Sequence, residues 1–351
     1  ALPAFVRLGN SDRSPSRRCL AGESDMPAIR RILVAIKDPQ AKSLPSVAKA
    51  GQLARALGAQ IELFHALNVP LYVDTSGGDS VRNRTKVQKA HCLNQLEQLA
   101  AQLRRRGVEA AIAAEWDFPA HEAIVRRATR AGADLIIAEC RARHGAATWL
   151  LRLTDWELLR HSPVPVLLVK TARPYRRPVV LAAIDPGHAH AKSTKLDDEI
   201  LGMGTTIEEA MRGNLHVVHA YLPTTIPASR YQTITPDITT RWLAEVKKTA
   251  AERFNHALRK TNVPRTQRHL MAAPSQTAIE AVARKTRSAI VVMGAVSRSG
   301  LGRIFIGDTA ERVLDKLSCD VLVVRPPQFA TRVPRATRGV HLVVPPPAWP
   351  F

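Results

Sequence analysis

Two stretches carry side chains suited to ligand chemistry. The first is Ile184-Asp185-Pro186-Gly187-His188, an apolar run that ends in an acidic turn. A carboxylate at a strand end can accept hydrogen bonds from a ribose hydroxyl or a base amine, and it can equally cap the turn that follows. The second runs Met293-Gly294-Ala295-Val296-Ser297-Arg298-Ser299-Gly300-Leu301-Gly302, continues through Arg303, and reaches Gly307-Asp308-Thr309-Ala310-Glu311. Its small residues let backbone amides approach an anion closely. Thr309 opens the next helix, where unpaired N–H groups and the positive dipole end favour phosphate. The same loop also reads as a flexible Gly/Ser segment with Asp308 or Thr309 as a helix cap and Glu311 in the first turn.

Catalytic signatures are sparse. The sequence has no Gly-x-Ser-x-Gly elbow, no HExxH helix and no Walker loop. His65 and His219 hold equivalent places at strand ends, where each is expected to satisfy a backbone carbonyl. The four cysteines, Cys19, Cys92, Cys140 and Cys319, include no CxxC, and no metal site is read from ligand spacing. Scattered cysteines in so long a chain fit free thiols and a reducing, cytoplasmic compartment.

The elements that position these residues occur twice. Ile32–Ile36 matches Val180–Ile184, 148 residues on, and Ile61–Ala66 matches Leu215–Ala220, 154 on. Ala133–Ala138 and Pro165–Val169 match Ser288–Met293 and Asp320–Val324, both 155 on. The growing offset places an insertion of about seven residues in the second copy, mostly between its first two strands. Apolar residues at helical spacing predict helices over Ser46–Leu57, Lys86–Arg106, Ala120–Ala131, Asp155–Arg160, Leu243–Leu258, Thr277–Thr286 and Thr309–Leu317. Gly58 and Gly107 serve as stops. Short apolar strands with little alternation predict burial on both faces. Two tandem α/β domains follow, each a doubly wound, Rossmann-like parallel sheet covered by helices. The expected layout is a disordered extension over 1–25 ahead of a start at Met26, a domain over 26–170, a linker over 171–178, a domain over 179–326 and a Pro-rich, irregular or disordered tail over 327–351.

The acidic turn, the glycine loop, the closing Val-Leu-Val-Val strand and the duplication resemble the universal stress protein family over about residues 30–326. The resemblance implies an adenine nucleotide alpha hydrolase-like fold. Nucleotide-binding members carry Gly-x2-Gly-x9-Gly-Ser/Thr, and this chain has Gly294-x2-Ser297-x9-Gly307-Asp308. By that resemblance the ligand-binding set is Asp185, Leu215, Gly294, Ser297, Arg298, Ser299, Gly300, Gly307, Asp308 and Thr309, and the cofactor is ATP with Mg²⁺. Leu215 is assigned to flank the adenine. Asp308 in place of a hydroxyl would repel triphosphate unless a metal or Arg303 screens it. Segments Asp308–Glu311 and Leu153–Leu159 resemble the tandem E subgroup, whose members also depart from the ATP motif. Copy one keeps an acid, Asp38, at its first turn but none of the loop glycines at their places. Its Trp149, Leu150, Leu151 and Trp156 read as core packing or as the lining of an apolar cavity.

The net charge of +21 is shared, with an excess of +8 over residues 26–170 and +9 over 171–325. With no reader motif beside it, this is a surface property rather than the footprint of a nucleic-acid binder. No apolar run nears the ~20 residues that span a bilayer. The reading is a bacterial stress-response regulator that binds a small ligand and protein partners and is not an enzyme. Its two domains are expected to pair through Pro165–Val169 and Asp320–Val324, with a homodimer as a further option. The alternatives are an apolar or lipid-like ligand in place of a nucleotide, a weak ATP-hydrolysing or nucleotide-transferring enzyme, and a basic nucleic-acid-associated protein.

Overall fold

The computed structural model describes residues 27–69, 71–72, 78–140, 148–187, 194–223, 236–295, 313–314, 316–326 and 329–343. Repeat one runs β1 (Arg31–Ala35), α1 (Pro45–Leu57), β2 (Gln60–Leu67), β3 (Leu71–Tyr72), α2 (Gly78–Arg105), β4 (Ala110–Trp116), α3 (Ala120–Ala131), β5 (Leu135–Glu139), α4 (Thr148–His161) and β6 (Val166–Val169). Repeat two runs β7 (Val179–Ile184), α5 (Thr194–Met211), β8 (Asn214–Tyr221), α6 (Pro236–Ala257), β9 (Arg268–Ala272), α7 (Ser275–Thr286), β10 (Ile290–Gly294) and β11 (Asp320–Val324). β12 (Leu342–Val343) lies in the tail. The inserted residues of the second copy appear as a longer first helix, with 18 residues in α5 against 13 in α1. α2 and α6 begin earlier than predicted because their first turns are polar and carry no apolar stripe to read. Gly58 ends α1 with φ 65°, a left-handed cap that glycine adopts without strain.

All ten main strands form one sheet, in the order β4-β2-β1-β5-β6-β11-β10-β7-β8-β9. Within each repeat every pairing is parallel, and β1 and β7 sit where strand order reverses. The repeats meet antiparallel at β6 and β11, with Val321 opposite Leu168 and Val323 opposite Val166. This is the pairing expected of the two apolar edges, which thereby cease to be edges. Each face of the sheet carries a core that runs unbroken through both repeats. One joins Leu53 and Leu96 to Ile200 and Phe254; the other joins Val125 and Leu158 to Val282 and Val313.

A buried polar hub fixes the seam. Lys49 of α1 reaches across to Asp320 at the start of β11, and neither side chain is more than 2% exposed. The Asp320 carboxylate also accepts from Tyr175 Oη at 2.6 Å, from Lys170 N at 2.9 Å and from Thr171 N at 3.1 Å. Lys49 Nζ donates to Thr171 Oγ1 at 2.9 Å and lies 4.7 Å from the centre of the Tyr175 ring. The connecting segment is therefore fastened to both halves. Burial, with Asp320 beside it, drives the Tyr175 phenol well above its ordinary range. On the opposite face the buried Arg325, just after β11, donates to the Leu159 and Arg160 carbonyls at the end of α4. Burial lowers its guanidinium to about 10.

Of the tail, residues 329–343 are irregular apart from β12 and are tied to repeat one. Thr331 Oγ1 donates to the His161 carbonyl at 2.8 Å, and Arg338 N donates to Asp117 at 2.9 Å. The Arg338 guanidinium grips Glu122, the His341 ring stacks on Phe118, and β12 pairs in parallel with β3. Prolines excluded regular structure here without excluding docking. The extension over 1–25 and most of the helix expected over 309–317 lie outside the described residues.

Removing one partner of the Lys49–Asp320 pair strands a buried charge, so Asp320→Ala should cost about 3–5 kcal/mol in urea denaturation. The double variant Lys49→Met/Asp320→Leu should recover most of that loss. A double variant that costs as much as the two single changes added together would show that the two side chains are not coupled.

Candidate functional site

β7 ends beside β10 on one side and β8 on the other, so the crevice at the carboxyl ends of β7 and β10 is where an open α/β sheet takes a ligand. Asp185, the next residue after β7, stands in it with its side chain about one quarter exposed (26%). Its backbone N–H donates to Asp197 Oδ1 at 3.1 Å, which ties the turn to the first turn of α5. His219, at the same level of β8, is buried. Its Nδ1 lies 3.3 Å from the Ile184 carbonyl and 4.0 Å from Asp185 Oδ1. In repeat one His65 Nδ1 meets the Ile36 carbonyl at 2.8 Å, so both histidines take the carbonyl-satisfying place expected of them. Arg253 of α6 completes the rim, since a Cβ on Gly187 would lie 3.9 Å from its Nη1 and 3.5 Å from Asp185 Oδ1. Sequence reasoning missed Arg253 and Asp197, which reach the turn from two helices whose packing no local pattern reports.

Two assigned residues behave otherwise than expected. Leu215 pairs with Val180 near the amino end of β8, whereas Ile184 pairs with His219. At ~3.3 Å per strand residue it lies roughly 16 Å from the level of Asp185, at the opposite end of the strand. The level of the acid belongs to His219 and Ala220. Gly294 does end β10 beside the crevice, but the protein itself uses the room it leaves. A Cβ there would come within 2.8 Å of Leu196 and 3.2 Å of Ile200, both on α5. The glycine thus admits a helix. Ser297, Arg298, Ser299, Gly300, Gly307, Asp308 and Thr309 lie outside the described residues.

Repeat one differs at the corresponding crevice. Strand pairing sets Ile36 against the level of His65 as it sets Ile184 against His219, so the partner of Asp185 is Lys37, not Asp38. Lys37 Nζ meets Asp155 Oδ1 of α4 at 2.6 Å. Burial raises the Asp155 carboxyl and Lys37 opposes that rise, while burial lifts the neighbouring Cys140 thiol to about 11. Asp38 closes its own turn by accepting from Gln40 N at 2.9 Å. Trp156 packs against the core, and Trp149, Leu150 and Leu151 have side chains outside the described set. The large groove lies instead in repeat two, between α5 and α6. It measures about 1670 Å³, runs from Pro186 to Leu215, and has Leu201 and Val263 in its lining with Asp198 and Lys260.

The Usp model, universal stress protein family, matches residues 28–170 and again 180–325. Universal stress protein E of Escherichia coli K12 is 28% identical over 319 residues, covering 87% of this chain and 97% of that protein. The universal stress protein E homolog of Haemophilus influenzae is 26% identical over 219 residues, covering 60% of this chain and 68% of its own length. Among solved structures, a functionally unknown protein of Pseudomonas aeruginosa PAO1 aligns with TM-score 0.62 and 26% identity over 86% of this chain and 94% of that one. A universal stress protein of Archaeoglobus fulgidus shares the fold, with TM-score 0.56 at 15% identity over 84% of this chain and 98% of its own.

The Lys37–Asp155 contact is charge-assisted and mostly buried on the acid's side, so Asp155→Asn should lower stability by about 1–3 kcal/mol. Hydrogen exchange should show the loss in α4 and at the end of β1. Unchanged protection there would mean that the pair does not hold the crevice shut.

Proposed function

Because this chain belongs to the universal stress protein family, we propose that it is a stress-response binding protein whose second repeat takes an adenine nucleotide. The observation that carries the reading is Asp185, a partly exposed carboxylate at the strand-order reversal of repeat two. Lys37 and Asp155 fill the matching place in repeat one with an internal ion pair. One ligand per chain follows.

The described residues fit the adenosine half of such a ligand. Asp185 accepts from ribose hydroxyls, and Arg253 supplies a nearby cation. The phosphates belong to Ser297, Arg298, Ser299, Gly300, Gly307 and Thr309 by resemblance to the family loop. Mg²⁺ would offset Asp308. The proposed role is binding rather than turnover. His219, a base beside the acid, directs Nδ1 toward the Ile184 carbonyl instead of an attacking group. Cys92, Cys140 and Cys319 are free thiols, in keeping with a cytoplasmic setting. Among the described residues no helix is long and apolar enough to cross a membrane.

A second reading is an apolar or lipid-like ligand in the groove between α5 and α6, where Leu201, Leu215 and Val263 lie among Asp198, Glu208 and Glu252. Calorimetric titration of ATP with Mg²⁺ separates the two. Asp185→Ala should weaken nucleotide binding at least 10-fold, about 1.4 kcal/mol, while Asp38→Ala should leave it unchanged. Absence of ATP binding in the wild type would overturn the nucleotide reading. Leu201→Trp, which narrows the groove, should spare nucleotide binding and abolish uptake of a fluorescent fatty acid.

A further inference from the structure

No metal site could be read from ligand spacing in the sequence, yet the fold assembles a donor set on the far side of repeat one. His121 opens α3, while Glu157 and His161 stand one turn apart near the end of α4. One ligand atom from each lies within 4.8 Å of the other two, and all three residues are half-buried. His161 Nε2 is 3.1 Å from Glu157 Oε2, and the imidazoles of His121 and His161 lie face to face with centres 5.8 Å apart. We propose that His121, Glu157 and His161 form a binding site for a borderline divalent transition ion such as Zn²⁺, with a fourth position left to water.

The chemistry of the donors supports this class of ion. Two imidazole nitrogens and one carboxylate oxygen suit Zn²⁺ and its neighbours, whereas Mg²⁺ and Ca²⁺ prefer oxygen alone. Metal–nitrogen bonds of about 2.0–2.1 Å put tetrahedral ligand atoms roughly 3.3 Å apart. The widest separation here closes by side-chain rotation of about an ångström or more, on two helices already packed together. Among the described residues the buried Nδ1 of His161 has no hydrogen-bond partner. In the metal-free chain the Glu157 carboxylate accepts from Nε2, so ligation through that nitrogen releases its proton. Arg160 Nη1 holds Glu157 Oε1 at 2.7 Å and leaves Oε2 toward the histidines. Arg126 and Glu122 are the other charges acting on His121.

An ordinary contact between Glu157 and His161, four apart on one helix, would explain that pair but gives His121 no part. The test uses this difference. Zn²⁺ is titrated calorimetrically into the metal-free full chain, and Co²⁺ is followed by its visible absorption. One equivalent is expected, with four-coordinate Co²⁺ bands, and both His121→Gln and His161→Gln should weaken it at least 10-fold. A second histidine pair, His216 and His269 with nitrogens 3.0 Å apart, provides the control. His269→Gln should leave the binding unchanged. Circular dichroism of the metal-free variants checks folding, and should His161→Gln misfold, His121→Gln at the half-buried start of α3 decides the matter. The proposal fails if the wild type binds no ion, if His121→Gln binds as tightly as wild type, or if binding disappears only in His269→Gln.

Discussion

The molecule depends on one antiparallel seam. Each repeat ends in a short strand of branched and aliphatic residues that would otherwise expose unpaired backbone groups. Pairing β6 with β11 removes both edges and makes two five-stranded sheets into one. The apolar contacts at such a seam are tolerant of sliding, because Val, Leu and Val offer similar surfaces in several registers. Asp320 is not tolerant. Its carboxylate accepts from Lys49, Tyr175 and the backbone of Lys170 and Thr171, and these donors meet only when the strands are aligned as observed. A buried pair of this kind is poor evidence for added stability and better evidence for a fixed register. Arg325, capping the end of α4 on the other face, applies the same constraint from behind.

With the register fixed, the repeats are free to diverge at their ligand edges. A single position illustrates it. Where repeat two places an acid facing the crevice, repeat one places Lys37 and supplies its own anion from α4. The counter-ion that a ligand would need is thus built into the chain. The packing of Leu196 against Gly294 shows the opposite trend in repeat two, where room made by a missing side chain is taken by α5 while a groove opens farther along the helix.

Much of the fold was legible because apolar strands with β-branched residues and helices with a regular stripe both repeat at near-constant spacing. The errors have physical causes. Asp38 was read as the acid kept at the first turn of copy one, but hydrogen bonding along β1 and β2 puts Lys37 at the level of Asp185. Leu215 was chosen from the start of its strand, whereas ligands meet the end. Lys49 reads as an ordinary helical lysine, and its full burial follows from a partner 271 residues away. The donor set of His121, Glu157 and His161 is invisible for the same reason, since α3 and α4 are neighbours in space with β5 between them in the chain.

The tail gives the chain an unusual order of completion. β3, in the connection after β2, is paired by β12, and the end of β4 and the start of α3 are covered by Arg338 and His341. The earliest part of the polypeptide to acquire strands is therefore finished by residues synthesised more than two hundred positions later. Repeat two can close its own sheet as it leaves the ribosome. Repeat one must hold an unfinished rim until the rest of the chain has been made and has crossed back over it.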